Sequence, residues 1–198
     1  MEDRYITTDQ SGWLRVKLEP NGKIIALPRF LKVNFRERQA GRDYFDILEG
    51  VHQGLKASVS SKGGASSWLV SPMPIYKGPV KLLFKKGAGQ LITPYGRLKT
   101  TTSSRSPISN GEHPIQLPDF PHDLGRSYVN AASKAMTWFY LGTGHAIRNN
   151  NDRYLHPGRI SAGCVTVQDL SGWDRLYDLL ILSRAPGGKN VGTLTVAN

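Results

Sequence analysis

Short apolar runs broken by turn residues set the pattern for most of this chain. WLRVKL is followed by EPNGK, then IIALPRFLKVNF, RQAGRD, YFDILEG and LKASVS. Runs of this kind, rich in β-branched and aromatic residues and bounded by Gly, Pro, Asn and Asp, predict strands. Asn21-Gly22 between two such runs predicts a hairpin, because both residues tolerate the positive φ of a tight turn. The polar stretch SSKGGASS, residues 60 to 67, predicts a loop and a division of the chain nearby. We therefore expect a small β-rich N-terminal segment or subdomain over residues 1–75 and a second domain over 76–198. Beyond the loop, SWLVSPMPIY, VKLLFKKG, QLITPYG and RLKTTT continue the strand pattern, followed by NGEHPIQLPDFPH and the apolar AMTWFYLG.

The period changes once, near the end. Trp173, Leu176, Tyr177, Leu180 and Ile181 recur at i, i+3, i+4, i+7 and i+8, which predicts a single helix. Asp169 or Ser171 is placed to cap its start, Arg184 falls in its expected last turn, and Pro186-Gly187-Gly188 is placed to stop it. VGTLTV then closes the chain as a strand. The expected fold class is mostly β, with one helix late in the chain.

Composition narrows the function. Lys and Arg number 26 against 15 Asp and Glu, a formal charge of +11. Such a field attracts nucleic acid, anionic lipid or an acidic cell-wall polymer alike. The basic residues are dispersed, with Lys85-Lys86 the one tight doublet, and no RNA-binding aromatic motif is present, which argues against nucleic acid. Cys164 is the only cysteine. An intrachain disulfide framework and a multi-cysteine zinc site are thereby excluded. His113 and His122 have no cysteine or acidic partners at metal-ligand spacing, so neither is read as a metal ligand. The start, MEDRYITTDQSGW, has no apolar core of a signal peptide, and no stretch reaches membrane-spanning length.

Chemistry concentrates in RYLHPGRISAGCVTV, residues 153 to 167. A nucleophilic cysteine needs a base in reach, N–H groups for an oxyanion and room for a carbonyl. Small residues precede the sulfur of Cys164, and Gly163 lets a substrate backbone approach. RYL reads as a strand ending at His156, and Pro157-Gly158 is expected to turn the chain back in a tight β-turn-β that sets imidazole beside thiol. Arg153 and Arg159 make the neighbourhood electropositive, which favours thiolate. All five histidines, at 52, 113, 122, 145 and 156, precede the cysteine. The papain-like order, cysteine first, is therefore excluded.

The Ser161-Ala162-Gly163-Cys164-Val165 string, with a histidine upstream and a helix and final strand downstream, resembles the L,D-transpeptidase catalytic domain family (YkuD-type). SPISNGEHPIQLP is similar to an upstream hairpin of that family through Gly111 and Ile115. The resemblance spans roughly residues 78 to 196. It departs at Ala162, where many members have histidine, and at Thr166, where many have arginine or asparagine; both are candidate substrate contacts. His156 matches the family base by its strand-end context, and His145 by its interval to the serine. The resemblance implies Cys164 as nucleophile, His156 or His145 as base, Gly163 and Cys164 N–H groups for the oxyanion and Ser161 as an orienting residue. Arg153 and Arg159, with Arg148, become carboxylate-binding candidates. The implied substrate is a peptidoglycan stem peptide, attacked through a thioester acyl-enzyme in transpeptidation, D-amino-acid exchange or carboxypeptidation, with no metal or organic cofactor needed. The implied site of action is the periplasm or cell wall, reached by an injection system, a phage-related route or as a mature fragment. Two other readings compete: a basic β-rich binding module, and an inactive structural descendant of the enzyme fold.

Overall fold

The computed structural model describes residues 2–61, 67–71, 74–142 and 153–198. The chain divides into two compact units, Met1–Ile75 and Tyr76–Asn198.

In the first unit, β1 (Glu2–Ile6), β2 (Trp13–Leu18), β3 (Ile24–Pro28), β4 (Lys32–Gln39), β5 (Arg42–Ile47), β6 (Lys56–Ser60) and β7 (Leu69–Val70) form one sheet in the order β3-β2-β6-β5-β4-β1-β7. Every pairing is antiparallel. Period-two alternation explains the burial: Val16 and Leu18 point inward on β2 while Arg15 and Lys17 face solvent. The hairpin predicted at Asn21-Gly22 joins β2 to β3, with Gly22 at φ +73°. The long apolar stretch from Ile24 is broken by a turn in which Phe30 adopts φ +63°, so it yields two strands, β3 and β4. Asp43 is a buried charge on β5. Burial pushes its carboxyl up, but hydrogen bonds from Arg38 at 2.6 Å and Ser67 at 2.5 Å hold it below the usual carboxylate range.

In the second unit, β8 (Val80–Lys85), β9 (Gln90–Thr93), β10 (Gly96–Thr101), β11 (Gly111–Gln116), β12 (Phe139–Tyr140), β13 (Tyr154–Pro157), β14 (Val165–Val167) and β15 (Asn190–Ala197) form a sheet in the order β11-β15-β8-β9-β10-β14-β13-β12. A 3₁₀ turn covers Asp123–Tyr128, and α1 spans Leu170–Ile181. The mostly β class with one late helix is what the periodicity predicts. All five stripe residues of α1 are buried, and Trp173 and Tyr177 each lie 6.3 Å from the ring of Phe139. Gly172 lets the helix meet β10, since a Cβ there would lie 2.5 Å from Leu98.

The helix ends differ from expectation. Asp169 is the N-cap but makes no side-chain capping bond; its carboxylate instead accepts from Ser171 Oγ at 2.8 Å. The helix stops at Ile181, before Pro186. Arg184 lies beyond the last turn and donates back to the carbonyls of Ile181 and Ser183 at 2.8 and 2.9 Å, the first of them a group the helix leaves open.

Among the described strands two pairs are parallel, β8 with β15 and β13 with β14. The second corrects the turn-back expected at Pro157-Gly158. Residues 158–164 carry the chain across so that β14 restarts in the direction of β13 and beside it. Parallel crossovers usually need a dozen or more residues. This short one keeps every member of β13 and β14 buried and holds residues 153–167 in a tight space.

Candidate active site

The parallel register decides which side chains meet. It pairs Leu155 with Val165 and His156 with Thr166. Side chains two apart on a strand share a face, so Tyr154 and His156 align with Cys164 and Thr166. Cys164 directly precedes β14 and is half-buried, and its Sγ accepts the backbone N–H of Tyr154 at 3.4 Å.

His156 is buried, and both ring nitrogens are engaged. Nδ1 lies 3.0 Å from the carbonyl of Pro157, and Nε2 lies 3.0 Å from Thr166 Oγ1. A carbonyl only accepts, so Nδ1 carries the hydrogen and the Thr166 hydroxyl donates to Nε2. Burial pushes the imidazole down to about 4; the Pro157 bond acts the other way and His122 adds a smaller push down. The ring is therefore neutral near pH 7, with its basic nitrogen aimed at β14, which Cys164 directly precedes, and occupied by a hydroxyl of that strand. Direct pairing of imidazole and thiol was the expectation; the structure sets Thr166 in the place the sulfur was expected to take.

The turn before the sulfur is held from three sides. Ser161 Oγ donates to the carbonyl of Cys164 at 2.8 Å and accepts the N–H of Gly163 at 3.1 Å. Thr102 Oγ1 donates to the carbonyl of Gly163 at 3.1 Å. Arg153 Nη2 reaches Ser106 Oγ at 2.9 Å. Gly163 is required here, because at φ +136° a Cβ would lie 2.6 Å from both Arg153 Cζ and the carbonyl oxygen of Ser106.

Beneath the imidazole lies a column of rings. His156 stacks on Trp138 at 4.1 Å, Trp138 on His122 at 4.4 Å, and His122 on Phe120 at 4.4 Å. His122 Nε2 donates to Asp119 Oδ1 at 3.1 Å, and Tyr154 Oη donates to Asp119 Oδ2 at 2.9 Å.

Comparison with known proteins finds no matching family model and no matching curated protein. Among solved structures, the chain is similar to L,D-transpeptidase 1 of Mycobacterium tuberculosis, with a TM-score of 0.36 and 11% identity, over 97% of this chain and 86% of that one.

Of the residues singled out from sequence, Cys164, His156, Ser161, Gly163, Arg153 and Thr166 are brought together. Thr166 is fully buried and contacts the imidazole. Ala162 and Arg159 are exposed on the crossover, and the Arg159 carbonyl accepts from Gln168 at 3.2 Å. His145 and Arg148 lie outside the described residues. The sequence pattern gave Asp119 and Tyr154 no role, showed Trp138 only as part of an apolar run, and marked His122 only as a non-ligand. Asp119 and His122 are neighbours three residues apart, but the contacts that tie them to Trp138, Tyr154 and His156 are distant in sequence, so no local spacing signals the cluster. Among the described residues no helix is long and apolar enough to cross a membrane.

Proposed function

We propose that the second unit is a cysteine acyl-transfer enzyme acting on peptidoglycan stem peptides. The observation that supports this reading best is a half-buried sulfur receiving a backbone N–H, beside a strand whose neutral histidine presents an unprotonated Nε2 towards β14, the strand that Cys164 directly precedes. A donor aimed at sulfur stabilises negative charge there.

In the proposed cycle, Nε2 of His156 exchanges the Thr166 hydroxyl for the thiol proton. Cys164 Sγ then forms a bond to the carbonyl carbon at the L-centre of the diamino acid. Collapse of the tetrahedral intermediate breaks the C–N bond to D-alanine, and the imidazolium returns the proton to the leaving amine. The thioester passes to an amine acceptor or to water. Cys164 N–H is the oxyanion donor of this scheme, and Gly163 N–H joins it once released from Ser161 Oγ. Arg153, beside Gly163, and Arg159, exposed on the crossover, are the proposed partners for stem-peptide carboxylates.

The test is incubation of purified tetrapeptide muropeptides with the protein, followed by mass spectrometry. Loss or exchange of D-alanine is expected with the wild type and not with Cys164→Ala. D-alanine retained by the wild type under all conditions overturns the reading.

A further inference from the structure

Asp119 lies outside every motif that drew attention to Cys164, yet contacts run from it to both halves of the proposed catalytic pair. It is almost fully buried, and among the described residues its charged partner is His122 and not a Lys or Arg. Its lone pairs are spent locally: Oδ1 accepts the N–H of Phe120 at 2.8 Å and Nε2–H of His122 at 3.1 Å, and Oδ2 accepts the hydroxyl of Tyr154 at 2.9 Å. A carboxylate is costly to bury, and hydrogen bonds of this kind recover part of that cost while fixing both donors in direction.

Each donor leads to a different reacting group. Tyr154 supplies the backbone N–H that reaches Cys164 Sγ at 3.4 Å, so anchoring its ring anchors the peptide that meets the sulfur. His122 lies parallel to Trp138, at an interplanar angle of 6°, and Trp138 in turn carries the imidazole of His156 at 21°. Tyr154 also closes on this column edgewise, 4.7 Å from His122 and 5.8 Å from Trp138. A movement of Asp119 would therefore be felt at sulfur and imidazole together, through one peptide and two stacked rings.

We infer that Asp119 is a positioning residue of the candidate site, acting through Tyr154 on Cys164 and through His122 and Trp138 on His156. It touches no substrate. The inference rests on the proposed roles of Cys164 and His156 and extends them by naming what holds the pair in register.

Two variants test it, Tyr154→Phe and Asp119→Asn. Tyr154→Phe keeps the ring, its edge contacts and the backbone N–H, and deletes only the hydroxyl. Three readouts are taken on folded protein: the rate of Cys164 alkylation by iodoacetamide, kcat and KM for D-alanine release, and the ¹⁵N resonances of the His156 ring. Loss of register should lower both alkylation and kcat by about tenfold or more, leave KM unchanged and shift the His156 resonances. The double variant should be no slower than Asp119→Asn alone, because both changes cut the same chain of contacts. Variants that alkylate and turn over at wild-type rates, with unchanged His156 resonances, overturn the inference. So does a loss explained wholly by the unfolded fraction. If the wild type releases no D-alanine, the acyl-transfer reading fails by itself, while alkylation and the ring resonances still decide the role of Asp119.

Discussion

Gly163→Ala is the sharpest single perturbation of the site. The new methyl carbon would lie 2.6 Å from Arg153 Cζ and 2.6 Å from the backbone oxygen of Ser106. The guanidinium is the end of a flexible side chain and can move, at the cost of its 2.9 Å bond to Ser106 Oγ. The Ser106 carbonyl is backbone, so the loop carrying it must shift as well. The φ of +136° adds strain that alanine cannot relieve in place. Strain of this kind costs about 1–3 kcal/mol, and losing a part-exposed hydrogen bond about 1 kcal/mol, so we expect roughly 2–4 kcal/mol of destabilisation. Because Ser161 ties the peptide of Gly163 to the carbonyl of Cys164, relaxation of the turn also displaces the sulfur. A displacement near 1 Å lowers reactivity by about a hundredfold. Urea unfolding measures the first effect and iodoacetamide alkylation the second. A Gly163→Ala protein with wild-type stability and wild-type alkylation would refute the reasoning, because it would mean that the turn has slack that the contacts deny.

Two further outcomes are expected. Thr166→Val should cost about 1–3 kcal/mol in urea unfolding, because it leaves Nε2 of a buried imidazole without its donor, and Thr166→Ser should recover most of the loss; equal stability of wild type and Val variant would contradict the assigned bond. For His156, the folded value of about 4 lies below the ordinary 6.5, so the unfolded chain binds the extra proton first as pH falls. Stability is therefore present above about pH 6.5 and drains between there and pH 4, by up to about 3 kcal/mol. Unfolding at pH 7 and pH 4.5 should show a smaller acid loss for His156→Gln than for wild type, and identical losses would contradict the assignment.

Local periodicity made the elements legible. The turn chemistry of Asn21-Gly22 and the apolar stripe from Trp173 to Ile181 act within a few residues, and both are found as expected. The site was legible only as far as its motif: Cys164, Ser161, Gly163 and His156 do converge. The direction of the strand after Pro157-Gly158 was not, because a turn signal reports a break in the chain and not the path of the crossover. From that one difference follows the partner of His156. A parallel register sets Thr166 opposite it, where a turn-back would have brought the residues nearest the turn together. Asp119 and Trp138 were silent for another reason. Their meaning comes from contacts with Tyr154 and His156, which lie far along the chain.

The reading as a whole stands on Cys164 as a covalent nucleophile. Intact-mass measurement of the protein, quenched in acid during turnover of a tetrapeptide muropeptide, tests that directly. The predicted result is an adduct equal to the muropeptide less D-alanine, mapped to Cys164, removed by hydroxylamine and absent from Cys164→Ala. D-alanine release with no adduct at Cys164, or continued release by the Cys164→Ala protein, would contradict it.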